Sequence, residues 1–218
     1  MSPDKAPWAD TPFALIPTPG HAENLKTMEE TVFIAREMAC AHNGMLRGLN
    51  SIYQQCIFVK EPKDIQDLLL YTSFWCDWLY EHHEGEEALL FPSIEKITGV
   101  NGLMEANVAQ HYAFTEGLKE LKTYAKETKF EGYDGVRLRG IIDGFGHKLT
   151  MHLTEEIGTL LSLKPYDGAA LKKACIEFDA KMRKGDKASE ISVPRVGMLT
   201  GDRVSFFQLF LEQPTPAI

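Results

Sequence analysis

Four stretches of the chain place apolar residues on one face of a helix, and each of these faces includes one histidine. The histidines are His42, His83, His111 and His152. Apolar residues recur around them every three or four positions, which is the period of an amphipathic helix. Four such helices joined by turns predict an all-α, antiparallel up-down four-helix bundle. An imidazole on the apolar face of each helix would then point into the core, where it needs a polar partner.

Two of these histidines are followed by a glutamate one helical turn later. His83 precedes Glu87 and His152 precedes Glu156, and residues four apart lie on the same face of a helix. An isolated pair of this kind is usually a solvated ion pair. Burying two carboxylates without cations costs several kcal/mol per ion, and a pair of divalent metal ions would remove that cost. Imidazoles and carboxylates without cysteine suit iron or manganese and can also hold zinc.

The segment around His83 contains further polar residues whose direction depends on the helical register. Glu84 is an additional candidate ligand, although helix geometry turns it about 100° away from His83. His82 and Glu86 form a rival register, and we expect them to lie outside the ligand set or on the surface. Pro92 predicts a kink or the last turns of this helix.

The chain of 218 residues can form one bundle with a sizeable core, flanked by two further segments. Residues 1–26 are rich in proline and predict an extended N-terminal arm. Residues 27–163 contain the four helices of the bundle. Residues 164–218 predict a short extra helix followed by an ordered C-terminal tail that packs on the bundle.

Composition excludes several partners. The formal net charge is −8 and no run is rich in Lys or Arg, so we expect neither nucleic acid nor an anionic membrane as the main partner. The sequence has neither a secretory leader nor an apolar run of the length that spans a bilayer. Four scattered cysteines without a CxxC pair favour a reduced, cytoplasmic location. The oligomeric state stays open.

These motifs resemble the hemerythrin-like (HHE cation-binding) proteins, particularly the extended versions found in fungi. The resemblance covers about residues 28–163 and rests on four linked motifs: His42-Asn43 with Arg47 and Leu49-Asn50; His82-His83-Glu84-Gly85-Glu86-Glu87 before Leu90-Phe91-Pro92; His111; and His152-Leu153-Thr154-Glu155-Glu156-Ile157. It implies a non-haem centre of two iron ions, cycling between Fe2+ and Fe3+, that meets dioxygen as a ligand or co-substrate. Zinc or manganese could replace the iron. The implied ligands are His42, His83, Glu87, His111, His152 and Glu156.

The chain departs from the oxygen-carrying hemerythrins at two ligand positions. Thr115 stands where those proteins have a second histidine on the third helix, and Glu156 comes four residues after His152 where they have an aspartate five residues on. The second change is similar to the iron-sensing hemerythrin domain of an F-box ubiquitin-ligase subunit. A missing imidazole opens the coordination sphere, and a shell richer in carboxylate favours the oxidised metal. We therefore predict a di-iron oxidoreductase that activates oxygen to oxidise a small molecule, with catalytic side chains unassigned. The first alternative is a non-catalytic oxygen- or iron-binding protein for storage or sensing. The second is a purely structural bundle whose site holds zinc or no metal.

Overall fold

The computed structural model describes residues 9–188 of the chain, with side chains described as far as residue 182. The described residues form helices and turns and contain no strand. The helices are α1 (Glu30–Gln55), α2 (Pro62–Gly85), a π-helical turn (Glu86–Leu90), α3 (Phe91–Thr98), α4 (Glu105–Glu127), α5 (Gly135–Ser162) and α6 (Gly168–Ala188), with one 3-10 turn (Phe130–Gly132) before α5. The predicted all-α class is confirmed.

Helices α1, α2, α4 and α5 form the bundle. Helix α1 packs on α2 and α5, and α4 packs on the same two helices from the opposite side. Contacts between α1 and α5 run in opposite directions along the two helices, since His42 meets Leu153 while Tyr53 meets Asp143. The other neighbouring pairs show the same reversal of numbering. The bundle is therefore antiparallel, and side chains at mid-height on all four helices can meet.

Short local signals set the ends of the helices. The carboxylate of Asp134 accepts hydrogen bonds from two backbone N–H groups in the first turn of α5, which is the usual role of an N-cap residue. A Cβ atom on Gly135 would lie 1.9 Å from the carbonyl oxygen of Cys56, so this close approach to the end of α1 requires glycine. Gly99 ends α3 in the left-handed region, with φ 72°.

A π-helical turn at Glu86–Leu90 lets the helical path of α2 continue through Pro92 into α3. Because proline has no N–H group, it cannot make the regular bond to the carbonyl four residues back. The N–H of Phe91 instead bonds to the carbonyl of Glu86, five residues earlier, and the helix continues to Thr98. A single π-helical turn inserts one residue and rotates the side chains around it. The proline thus rotates the register of the residues around Glu86 and Glu87 instead of ending the helix.

The described part of the N-terminal arm is held against the bundle by buried polar groups. The side-chain amide of Asn50 accepts a hydrogen bond from the N–H of Phe13 and donates to the carbonyls of Phe13 and Ala9. The Phe13 ring is buried over Gly146, where a Cβ atom would lie 2.5 Å from the ring. This contact explains why a weak helix former occupies that position in α5.

Helix α6 lies beside the bundle and packs on α1, α2, the π-helical turn and α3. It approaches closely at Gly85, where an added Cβ atom would be 2.6 Å from Sδ of Met182. The predicted extra helix therefore exists, whereas the predicted packing of the tail falls on residues 189–218, outside the described residues. None of the described helices combines the length and the apolar character that crossing a bilayer would require.

Candidate metal centre

Seven titratable side chains come together inside the bundle at mid-height. They are buried and come from all four bundle helices: His42, His82, His83, Glu86, His111, His152 and Glu156. The side chains of Glu86 and Glu156 have no exposed surface at all. Buried carboxylates are rare unless they are paired or hold a metal. The four imidazoles that the sequence places on apolar helix faces, His42, His83, His111 and His152, are thus all buried in the core.

His82 and His83 are both buried, although they are neighbours on one helix. The His83 ring lies 4.4 Å from the His111 ring and 5.0 Å from the His152 ring, between α4 and α5. The His82 ring lies 5.5 Å from the His42 ring and 6.1 Å from the Phe178 ring of α6. Of the two positions expected for His82, outside the ligand set or on the surface, the surface position is wrong, because the ring is buried between His42 and Phe178 of α6.

The side chains form two groups, each compact enough to hold one metal ion. His83, Glu86, His111 and His152 each offer a ligand atom within 4.8 Å of the others, and so do His42, His82 and Glu86. Only Glu86 belongs to both groups. It follows His82 by four residues and His83 by three, so it shares a helix face with both. Its position in both groups would let Glu86 offer an oxygen to each of two cations.

Glu156 lies between the same two groups from the opposite helix. Its Oε2 atom is 3.5 Å from Nε2 of His42 and 3.7 Å from Nε2 of His152, one histidine from each group. Two carboxylates on facing helices therefore flank the space between the two sets of imidazoles. This arrangement suits two cations, because each carboxylate can neutralise part of the charge of both ions.

The structure places Glu87 and Glu84 outside both groups. The Glu87 side chain is 35 % exposed, and its Oε1 atom accepts a hydrogen bond of 2.7 Å from Nδ1 of His111. Glu84 is exposed to solvent. The inward position expected for Glu87 is therefore taken by Glu86, because the π-helical turn places Glu87 at the rim beside α4. The identity of the ligands stays a prediction, now with Glu86 in place of Glu87.

Three of the histidines have acceptors on their outer nitrogen. The Nδ1 atom of His42 is 2.8 Å from the carbonyl oxygen of Leu153, and Nδ1 of His111 faces Glu87. The Nδ1 atom of His152 is 3.2 Å from Oε1 of Gln110. An acceptor at Nδ1 places the proton there, which leaves Nε2 free to bind a metal. The Nε2 atoms of His111 and His152 then face each other at 3.0 Å in the core.

Burial keeps these side chains in their neutral forms in the metal-free protein. It lowers the pKa of His82 to about 4, and burial beside other imidazoles holds the pKa of His42, His83 and His152 well below the usual value. Burial also raises the pKa of Glu86 and Glu156 well above the ordinary value of a carboxyl. Neutral imidazoles can bind metal directly, whereas both carboxyls must first lose a proton.

The hydrogen bonding of the cluster fits a pair of metal ions. Within the described residues, the buried side-chain nitrogen and oxygen atoms that lack a well-oriented hydrogen bond all belong to His83, Glu86 and Glu156, although Oε1 of Glu86 lies 2.7 Å from Nε2 of His82. Buried polar atoms are nearly always satisfied, so unsatisfied atoms collected in one place call for an explanation. Imidazole nitrogens and carboxylate oxygens facing one another are the donor set that iron, manganese or zinc accepts.

The fold and this site define a helical bundle with an internal cation-binding centre, and the comparisons give its family. Residues 34–163 match the hemerythrin HHE cation-binding domain. The chain therefore belongs to the hemerythrin HHE cation-binding family. It is also 38% identical, over 169 residues, to the dimeric xanthone biosynthesis cluster protein R11 of Cryptosporiopsis sp. (strain 8999). That match covers 78% of this chain but 63% of the relative, less than two thirds of its length. No solved structure gives a significant match.

Proposed function

We propose that this chain binds two iron ions and uses them to activate dioxygen for the oxidation of a small molecule. The family and the buried groups of histidine and glutamate support cation binding. The choice of iron rests on the donor set, which contains imidazoles and carboxylates and no thiolate. Bound ferrous iron would supply the electrons and the open coordination positions that dioxygen needs.

The observation that carries this proposal is the difference between the two groups. One group has three imidazoles, whereas the other has two, His42 and His82, with Glu86. Two histidines and one carboxylate are the ligand composition of non-haem iron oxygenases, in which several coordination positions stay open. The threonine at position 115 adds no ligand, since its hydroxyl donates a 2.6 Å hydrogen bond to the carbonyl of His111.

The side chains around the two-histidine group would shield the reaction from water. The Phe178 ring of α6 packs near His82, and Phe178 and Met182 meet the helix at Gly85. Apolar walls exclude water, which strengthens electrostatic interactions inside the site and limits side reactions. Outer hydrogen bonds hold the imidazoles in place, with the Leu153 carbonyl orienting His42 and Glu87 orienting His111.

The relative suggests the class of substrate. Its name assigns that protein to a gene cluster for dimeric xanthone biosynthesis. We carry over from it the class of substrate, an aromatic small molecule related to a xanthone, as the compound that this chain would oxidise. This chain spans less than two thirds of the relative, so the substrate is part of the proposal.

A second function, reversible oxygen binding or iron sensing without catalysis, is favoured by the depth of the site. His42, His152, Glu86 and Glu156 have no exposed surface among the described residues. A site buried this deeply admits dioxygen more easily than an aromatic substrate. The two functions differ in what happens to the oxygen, and one experiment separates them.

The test begins with anaerobic loading of the protein with ferrous iron, followed by metal analysis and an optical spectrum after a pulse of oxygen. We expect two iron ions per chain and a new absorption band. Decay of the band together with oxidation of an added phenol would support catalysis, and full reversal after removal of oxygen would support carriage. His82→Ala should abolish the band, whereas the matched variant His147→Ala changes an exposed histidine and should keep it. Binding of no iron would exclude both functions, whereas bound iron with a spectrum indifferent to oxygen would exclude catalysis and oxygen carriage and leave iron sensing.

A further inference from the structure

A glutamine outside both groups of buried ligands contacts the outer nitrogen of His152. Gln110 lies on α4, one residue before His111, and its side chain is partly buried. Its Oε1 atom is 3.2 Å from Nδ1 of His152 on α5, and its Nε2 atom donates to Oε2 of Glu155 at 2.5 Å. Glu155 itself is exposed and adjoins Glu156. The three side chains form a line from the solvent to the metal centre across the α4–α5 contact.

The glutamate determines which end of the amide faces the imidazole. A glutamine side chain has an oxygen that accepts and an NH2 group that donates, and rotation by half a turn exchanges them. An ionised carboxylate only accepts hydrogen bonds, so Glu155 holds the NH2 group of Gln110 on the solvent side. The oxygen of Gln110 is then the atom that faces His152.

An acceptor in that position determines which nitrogen of His152 carries the proton. The imidazole must present N–H at Nδ1 to the glutamine oxygen, so its Nε2 atom keeps the free electron pair. That Nε2 atom lies 3.0 Å from Nε2 of His111 and 3.7 Å from Glu156, inside the centre. The reversed amide would present a donor to Nδ1 and favour the tautomer with the proton on Nε2, which cannot bind a metal.

We propose that Gln110, oriented by Glu155, is a positioning residue that sets the tautomer of His152 and directs its Nε2 atom at the metal site. The proposal deepens the proposed function and rests on it, since it concerns one ligand of the same centre. The chain orients its other histidines by different means: a backbone carbonyl serves His42, and a carboxylate serves His111 directly. His152 alone among these three depends on an amide whose direction a second side chain must fix.

Two readouts test the proposal. The first is the tautomer of His152 in the metal-free protein, measured from the 15N shifts of the ring nitrogens. We expect the proton on Nδ1 in the unchanged chain. In Gln110→Leu, which replaces the amide by an apolar side chain of similar size, we expect a shift toward the Nε2 tautomer. The second is ferrous-iron affinity in competition with a coloured chelator. Loss of an outer partner of a ligating histidine weakens metal binding by about 10- to 100-fold.

Further variants separate orientation from mere packing. Glu155→Gln frees the amide of Gln110 to reverse and should weaken iron binding by up to about tenfold. Because Glu155 is exposed, this substitution should leave the fold intact. The double variant Gln110→Glu with Glu155→Gln exchanges the two groups, so an acceptor again faces His152 and affinity should recover. Glu120→Gln changes an exposed glutamate elsewhere on α4 and should have no effect.

The outcomes distinguish failure of this inference from failure of the proposed function. A proton on Nε2 in the unchanged metal-free protein overturns the inference whether or not iron binds. So does a Gln110→Leu protein that keeps both the tautomer and the affinity, or a double variant no better than Glu155→Gln alone. An unchanged chain that shows the expected tautomer but binds no iron overturns the proposed function instead, and with it the metal-directing role of Gln110.

Discussion

Replacing Glu86 by glutamine should raise the stability of the metal-free protein and weaken the binding of metal ions. Glu86 has no exposed surface, and burial raises its pKa well above the ordinary value of about 4.5. The folded metal-free protein therefore keeps this carboxyl protonated at neutral pH, whereas the unfolded chain ionises it. A raised pKa in the folded state stabilises below the unfolded pKa, and that stability is lost as the pH rises toward the folded pKa.

The magnitude follows from proton linkage. Each carboxyl held neutral in the fold costs about 1.4 kcal/mol of unfolding free energy per pH unit above its unfolded pKa. Above its unfolded pKa, the carboxyl should therefore make the free energy of unfolding of the unchanged protein fall with rising pH relative to that of Glu86→Gln, at up to this slope, until the pH reaches the raised pKa of the folded carboxyl. Above the ordinary histidine pKa of about 6.5 the buried imidazoles are neutral in both the folded and the unfolded chain, so they contribute little to the slope there. Urea unfolding of the two chelator-treated proteins at several pH values measures this difference in the free energy of unfolding.

Metal binding should respond in the opposite direction. Because Glu86 belongs to both groups, Glu86→Gln should reduce the iron content from two ions per chain to one or none. The matched variant Glu87→Gln replaces the carboxylate partner of His111 by a neutral amide whose oxygen can still accept from Nδ1–H, so it should keep two ions with affinity weakened by up to about tenfold. Parallel pH curves for the unchanged protein and Glu86→Gln would refute the reasoning. So would loss of an iron ion from Glu87→Gln alone.

Three further outcomes follow from the packing and the charges. Asn50→Ala should lower the free energy of unfolding by about 1–3 kcal/mol, because it leaves buried backbone groups of the arm unpaired; urea denaturation measures the loss, and an unchanged midpoint would contradict it. Gly146→Ala should lower the melting temperature because its Cβ atom meets the phenyl ring of the arm. The matched Gly144→Ala points into open space and should gain about 1 kcal/mol, so equal effects would contradict this contact. Metal binding at pH 7 should release about two protons per chain from the buried carboxyls, as calorimetry in two buffers would show; no release would mean that the carboxyls are already ionised.

The apolar stripes predicted the helices of the bundle, and the histidines on those stripes are buried as expected. His42, His111 and His152 each lie on an apolar stripe of regular helical period, and a regular helix places such residues reliably. Antiparallel packing then brings them to one level. Glu156 follows His152 in an uninterrupted stretch of α5. The rule that residues four apart lie on one face of a helix was therefore enough to place Glu156 in the core.

The choice between Glu86 and Glu87 could not be made from helical periodicity. A regular helix leaves the two registers nearly equal, and the π-helical turn before Pro92 decides between them. A proline six residues after Glu86 inside an otherwise helical pattern was the available signal for such a turn. The burial of His82 depends on α6, which packs from more than 80 residues further along the chain. Long-range packing of this kind leaves no trace in the local spacing of apolar residues.

The wall beside His82 comes from outside the domain that supplies the ligands. Residues 34–163 match the cation-binding family, but Phe178 and Met182 belong to α6, beyond that boundary. A chain shortened to the family domain would keep every ligand and expose the two-histidine side to chelators and reductants in the medium. The appended helix is therefore a place where the access of solvent to a bound cation can change while every candidate ligand stays the same.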